Sequence, residues 1–145
     1  SYVEKISAGD GVLVMGYPGK HSKSGKYKIV ESEVMDVKGP MGHDKWIQFE
    51  DAAQEGNSGG PLLDLSGNVV GVVVGKTVLP RRNLTNGRDE VIQKSDIAIS
   101  LPYLTKFLDK NRVQYWKMYS RGDSNQAYIE QNAKNFIVNI HCLQK

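Results

Sequence analysis

The stretch Gly56-Asn57-Ser58-Gly59-Gly60-Pro61 decides how this 145-residue chain reads. It lies between two β-like runs, Trp46-Ile47-Gln48-Phe49 before it and Pro61-Leu62-Leu63-Asp64-Leu65 after it. A glycine-rich loop between strands can be a plain connection or a phosphate cradle. A phosphate loop of the P-loop kind needs a Lys-Ser/Thr pair and a following helix; here no lysine follows and the next element is a strand. A nucleophilic serine accounts for these residues better. Serine attacks a carbonyl only when its hydroxyl is exposed and backbone N–H groups converge on the developing oxyanion. Flanking glycines permit that backbone and leave room for substrate.

Outward from the loop, Pro61 to Gly75 is the strongest hairpin of the sequence. Ser66-Gly67-Asn68 is its tight turn and Val69 to Gly75 its buried second strand. Upstream, Gly11-Val12-Leu13-Val14-Met15-Gly16-Tyr17 is a compact apolar run stopped by Pro18-Gly19, and the basic segment 20–26 reads as an exposed loop. Tyr27 to Val37 alternates, with Tyr27, Ile29, Val34 and Val37 turned inward and Lys28 and Glu31 outward; residues 38–42 form a turn. Downstream, Pro80 to Asp89 reads as an exposed loop, followed by a short strand around Ile97-Ala98-Ile99. Short strands between Gly, Pro, Asp and Asn clusters suit a β-barrel or sandwich.

Helix is expected only near the end. Ser100 can cap a first one, with Pro102 in its first turn and Leu104, Phe107 and Leu108 on one face. A second runs from Asp123 or Ser124 to about Lys134, with Gln126 three residues after Asp123 as in a capping box. Phe136 to Leu143 alternates again, placing Phe136, Val138, Ile140 and Cys142 on one face of a strand.

The hexapeptide closely resembles the nucleophile signature of the trypsin-like (chymotrypsin-fold) serine proteases, and Asn57 before the serine is typical of their HtrA/Deg branch. The resemblance extends through Gln48 to Ser58, through the hairpin Leu62 to Val72, through Ala8-Gly9-Asp10-Gly11-Val12 and Gly16-Tyr17-Pro18-Gly19, and through Asp96-Ile97-Ala98-Ile99 with the helix behind it. It covers about residues 8–109 with every element in order. It implies a mainly β fold: the second six-stranded antiparallel barrel of a chymotrypsin-like protease, then a C-terminal helix. Residues 1–109 would be that barrel half of the peptidase domain. Residues 110–145 would be a basic extension without counterpart in the family, helical and then a strand over 136–143. The implied activity is serine endopeptidase, through an acyl-enzyme.

Carried over by position, Ser58 is the nucleophile, the N–H groups of Gly56 and Ser58 form the oxyanion hole, and Asn57 supports the loop. Losing one such donor typically costs about a hundred- to a thousandfold in rate. Ala52, Ala53, Gln54 and Glu55 would line the pocket for the side chain before the scissile bond. Val74, Gly75 and Lys76 would pair with extended substrate, as an added strand. Ala52 falls at the pocket's base and Asp96 near the opposite wall. An Asp96 turned outward leaves a pocket for small or medium apolar side chains, the preferred reading because an unpaired buried carboxylate is costly; an Asp96 turned inward admits basic ones.

A triad also needs a general base and an orienting carboxylate. In the family both precede the serine, in and just after the first barrel, and this chain begins where the second barrel begins. His21, His43 and His141 lack the context of a catalytic base. The chain is therefore expected to be part of a longer protease whose roughly 100 upstream residues supply His and Asp, and to be inactive alone. The alternative is a non-catalytic, protease-like module that binds peptides.

Composition agrees with a packed domain: 39% apolar residues suffice for a core, and no apolar run approaches the roughly 20 residues of a membrane-spanning helix. Residues 1–101 hold 12 Lys+Arg against 13 Asp+Glu, and residues 102–145 hold 7 against 3, so the basicity lies in the tail. Tyr115, Trp116 and Tyr119 beside Lys117 and Arg121 read as a helix with a buried aromatic side, and no nucleic acid is expected. With one cysteine there is no intrachain disulfide and no thiolate cluster, and no metal or other cofactor is expected. Arg121-Gly122-Asp123 and the sequon Asn83-Leu84-Thr85 are short matches that carry little. Expected partners are an extended polypeptide substrate and the missing N-terminal barrel, with self-association through the face that barrel would cover. The resemblance places the protein outside the cytoplasm, in the periplasm, secreted or at the cell surface.

Overall fold

The structure, a computed structural model, describes residues 5–18, 27–39, 42–82, 89–120, 122, 124–138 and 140; within 78–82 and 89–93 the description is of the backbone. Six strands, β1 Gly11–Gly16, β2 Lys28–Asp36, β3 Trp46–Phe49, β4 Pro61–Asp64, β5 Val69–Arg82 and β6 Asp89–Ser100, precede two helices, α1 Leu101–Lys110 and α2 Gln126–Ala133. The strands close into an antiparallel barrel in the order β1-β2-β3-β6-β5-β4. Closure comes from β1 against β4, with Leu13 opposite Leu63 and Val14 opposite Leu62.

The apolar run of β1 is continuous because both its faces are buried. Val12 and Val14 enter the barrel interior with Val34, Ile47, Phe49, Leu62, Val73 and Ala98. Leu13 and Met15 point outward, and with Leu63 they are covered by Ile129 and Ala133 of α2 and by Ile137. A strand buried on both sides loses the polar alternation of a half-exposed one. The C-terminal extension thus lies on the barrel wall as a second layer. Tyr27 and Ile29 pack into this outer cluster, whereas Val34 turns inward past them; the expectation that Ile29 and Val34 share the inner face is corrected.

Three further expectations are revised. Segment 136–143 does not form a strand over its described residues: Phe136 ends the turn after α2, Ile137 is buried on the barrel wall, and Phe136, Val138 and Ile140 are exposed. Among the described residues, no strand of the barrel pairs with this segment. Next, β5 continues through Pro80 to Arg82 and β6 starts at Asp89, so both ends of the expected exposed loop are strand; 83–88, with Asn83-Leu84-Thr85, lie outside the described residues. Pro80 is tolerated because the β5–β6 register shifts between Leu79 and Pro80. Finally, α2 is capped by Asn125, whose side chain accepts the Ala127 N–H at 2.8 Å; Asp123 lies outside the described residues.

Helix α1 follows Ser100 with Pro102 in its first turn, but the Ser100 hydroxyl donates to the Asp44 carbonyl (2.8 Å) instead of capping. Leu101, Leu104 and Leu108 are its half-buried stripe and Phe107 faces solvent, since the helix lies at the barrel's end against β5 and β6. It ends in a Schellman motif: Val113 N–H donates to the Leu108 carbonyl and Arg112 N–H to that of Asp109. Arg112 holds the left-handed position at φ 55°, where glycine is usual. Residues 113–119 then run without helical structure, so the expected helix with a buried aromatic side is absent there.

Candidate active site

The loop from Asp51 to Gly60 connects β3 to β4 and is fixed at three points. At its start, Asp96 of β6 is fully buried, and its Oδ2 accepts the N–H groups of Ala52 (2.8 Å) and Ala53 (2.5 Å). Asp96 is therefore turned inward, against the preferred expectation. Its other oxygen, Oδ1, has no hydrogen-bond partner among the described residues. Burial pushes the Asp96 carboxyl above the ordinary carboxylate value; the two N–H groups and nearby Lys76 oppose that shift without cancelling it. Lys76 Nζ is itself bonded to Asp51, which pushes the Lys76 ammonium up.

At its middle the loop rests on the end of β1. A Cβ on Gly16 would stand 2.8 Å from Asn57 Cα, so only glycine lets the two backbones meet. Gly56 combines a φ of 100° with a position where a Cβ would fall 2.2 Å from the Tyr17 carbonyl oxygen. Asn57 is 2% exposed, its N–H bonded to the Gln54 carbonyl at 3.0 Å. At its end the loop joins β5, with Gly59 N–H on the Val73 carbonyl (2.8 Å) and Val73 N–H on that of Gly60 (2.9 Å).

Ser58 is exposed at the apex between these attachments. Its Oγ lies 3.9 Å from where a Gly75 Cβ would sit, which brings Ser58 beside the segment Val74, Gly75 and Lys76. Among the described residues, the N–H groups of Gly56 and Ser58 donate to no carbonyl. On the β4 side, strand pairing of β5 ends at Val72, so from Val74 onward that edge is open beside Ser58. Ala52, Ala53, Gln54 and Glu55 form the approach, with Ala53 buried and Gln54 and Glu55 exposed. His43 is exposed in the turn before β3, while His21 and His141 lie outside the described residues.

Residues 2–72 match the trypsin-like peptidase domain family. This segment belongs to the trypsin-like peptidases. A DegP-like probable periplasmic serine endoprotease of Brucella suis is 38% identical over 68 residues, 47% of this chain and 13% of that protein. The uncharacterised protein y4bJ of Sinorhizobium fredii is 40% identical over 68 residues, 47% of this chain and 11% of its own length. This chain thus spans a small part of the curated relatives. Among solved structures, an inactive form of a serine-to-alanine mutant of Rv3671c from M. tuberculosis H37Rv superposes with a TM-score of 0.50 at 23% identity, covering 80% of this chain and 54% of that one. That likeness concerns the fold: the trypsin-like barrel expected from the sequence is the one observed.

Sequence reasoning had not found the coupling of the loop to the extension. The Tyr17 hydroxyl donates to the Ile137 carbonyl (3.5 Å), its ring meets Tyr27 edge-on, Tyr27 donates to Glu130, and Lys134 lies over the Tyr27 ring. The conspicuous signal was the unbroken apolarity of β1, which demands a cover on its outer face.

Proposed function

We propose that this chain is the nucleophile-bearing barrel of a serine endopeptidase of the HtrA type, with residues 1–109 the barrel and 110–145 an extension fastened to it. The observation that carries the reading is the apex of the 51–60 loop: an exposed Ser58 hydroxyl beside two undonated N–H groups, at an open strand edge. An extended polypeptide lies along Val74, Gly75 and Lys76 as an added strand, its side chain before the scissile bond directed toward Ala52–Glu55. Ser58 Oγ attacks the carbonyl carbon, and the oxyanion takes hydrogen bonds from Gly56 and Ser58 N–H. Collapse of that adduct expels the amine and leaves an acyl-serine, which water hydrolyses. Proton transfers at Oγ require a histidine base and its carboxylate from outside this chain, and the 145 residues alone are then inactive. DegP-like relatives named as periplasmic support an extracytoplasmic location.

The test is peptide hydrolysis by the complete gene product and by its Ser58→Ala form. Hydrolysis is expected to vanish in S58A while peptide binding persists. The 145-residue chain is expected to react only slowly with a fluorophosphonate, and rapid stoichiometric labelling at Ser58 would refute the assignment of the base elsewhere. Peptide binding without turnover in the wild-type product would establish the binding module instead.

A further inference from the structure

We propose that the last turn of α1 and residues 111–119 form a surface that docks on an anionic lipid bilayer, with Trp116 as its inserted side chain. Of the large apolar side chains exposed among the described residues, six lie between 103 and 119: Tyr103, Phe107, Val113, Trp116, Met118 and Tyr119. Trp116 is 96% exposed, and isolated exposure of that degree is unusual for the most area-rich apolar side chain. The Schellman turn brings the end of α1 and residues 113–117 together. It folds the chain back so that the Tyr115 hydroxyl reaches Asp109 Oδ1 at 2.9 Å, and a shallow groove runs between Asp109, Val113, Tyr115 and Trp116.

Charge selects the partner. Residues 103–120 carry Lys106, Lys110, Arg112 and Lys117 against the single acid Asp109, all exposed. Asp109 is already engaged by Tyr115, and Lys117 lies 5.6 Å over the Tyr115 ring. Interleaved cations and exposed aromatics are the two signals of a peripheral bilayer contact: apolar groups enter the headgroup boundary while basic ones meet anionic lipid. Phe107, Val113 and Met118 favour lipid over nucleic acid, since aliphatic and thioether chains have no base to stack on or edge to read. Arg112 adds an independent pointer, because a cation stands where glycine would be free of strain. No helix among the described residues is long and apolar enough to cross a membrane, so the contact proposed is peripheral. It does not depend on the protease reading.

The experiment is co-sedimentation of the 145-residue chain with phosphatidylcholine vesicles, with and without phosphatidylglycerol. Anionic vesicles are expected to bind on the order of a hundredfold more tightly than neutral ones at low salt, and high salt to abolish the difference. R112Q/K117Q is expected to bind about thirtyfold more weakly, and W116A about tenfold. R112G separates binding from folding: the chain melts at a higher temperature yet binds about fivefold more weakly. In a Trp46→Phe background the remaining Trp116 emission is expected to shift to the blue on anionic vesicles. Absence of vesicle binding, equal binding to neutral lipid, an unchanged R112Q/K117Q, or tighter binding to single-stranded DNA than to anionic vesicles each overturns the proposal.

Discussion

Replacing Asp96 tests whether the approach to Ser58 is held from beneath. Its Oδ2 accepts two N–H groups, those of Ala52 and Ala53, from inside the barrel. A hydrogen bond to a carboxylate contributes about 1.5–3 kcal/mol, so Asp96→Ala removes roughly 3–6 kcal/mol of bonding and strands the buried Ala53 donor. Against this, the variant no longer buries a polar group whose second oxygen is unpartnered, a relief of about 1–3 kcal/mol. The net expectation is a loss of about 2 kcal/mol for Asp96→Ala and about 1 kcal/mol for Asp96→Asn, which keeps an oxygen for both donors. Asp96→Asn also has a distinct pH signature. Because burial raises the Asp96 pKa in the fold, the folded chain binds more protons than the unfolded one between the ordinary value and the raised one. The Asp96 contribution is full below the unfolded value, is lost as pH rises through the folded value, and is flat above it. Urea unfolding followed by tryptophan fluorescence from about pH 4 to pH 8 measures this slope, and amide exchange reads Ala52 and Ala53 directly. An Asp96→Ala chain as stable as wild type, or an Asp96→Asn chain with an undiminished pH slope, refutes the reasoning.

Two other substitutions probe the supports of the site. Gly56→Ala places a methyl 2.2 Å from the Tyr17 oxygen at a φ of 100° and is expected to cost about 3 kcal/mol by thermal denaturation, with hydrolysis lost in the complete protein. Ile129→Ala, from a side chain 3% exposed on the barrel wall, is expected to cost about 2–4 kcal/mol and to shift the Tyr17 and Tyr27 ring resonances, since α2 packs directly over that pair.

The barrel and its serine loop were legible because local chemistry dictates them. Gly56 to Pro61 needs its glycines wherever it is read, Ser66-Gly67-Asn68 forces a hairpin, and β3 and the start of β5 are short apolar runs bounded by turns. What escaped depended on distant contacts. Pro80 to Arg82 is polar and opens on a proline, yet pairing with β6 holds it as strand. Phe136 to Ile140 alternates like a strand, but α2 brings Ile137 to the barrel wall, leaving its neighbours in solvent. Asp96 could not be oriented from sequence, because the donors that make its burial tolerable, Ala52 and Ala53, lie 44 and 43 residues away.

The fastening of Tyr17 to Ile137, 120 residues later, sets an order of events during synthesis. β1, β4 and the Ser58 loop leave the ribosome while the segment that roofs Leu13, Met15 and Leu63 is still untranslated. Until it arrives, the outer wall of β1 is wet and the strand beneath Gly56 and Asn57 is unbraced on that side. A product that stops short of α2 keeps the loop's attachments to Asp96, Gly16 and Val73 but leaves Leu13, Met15 and Leu63 without their cover.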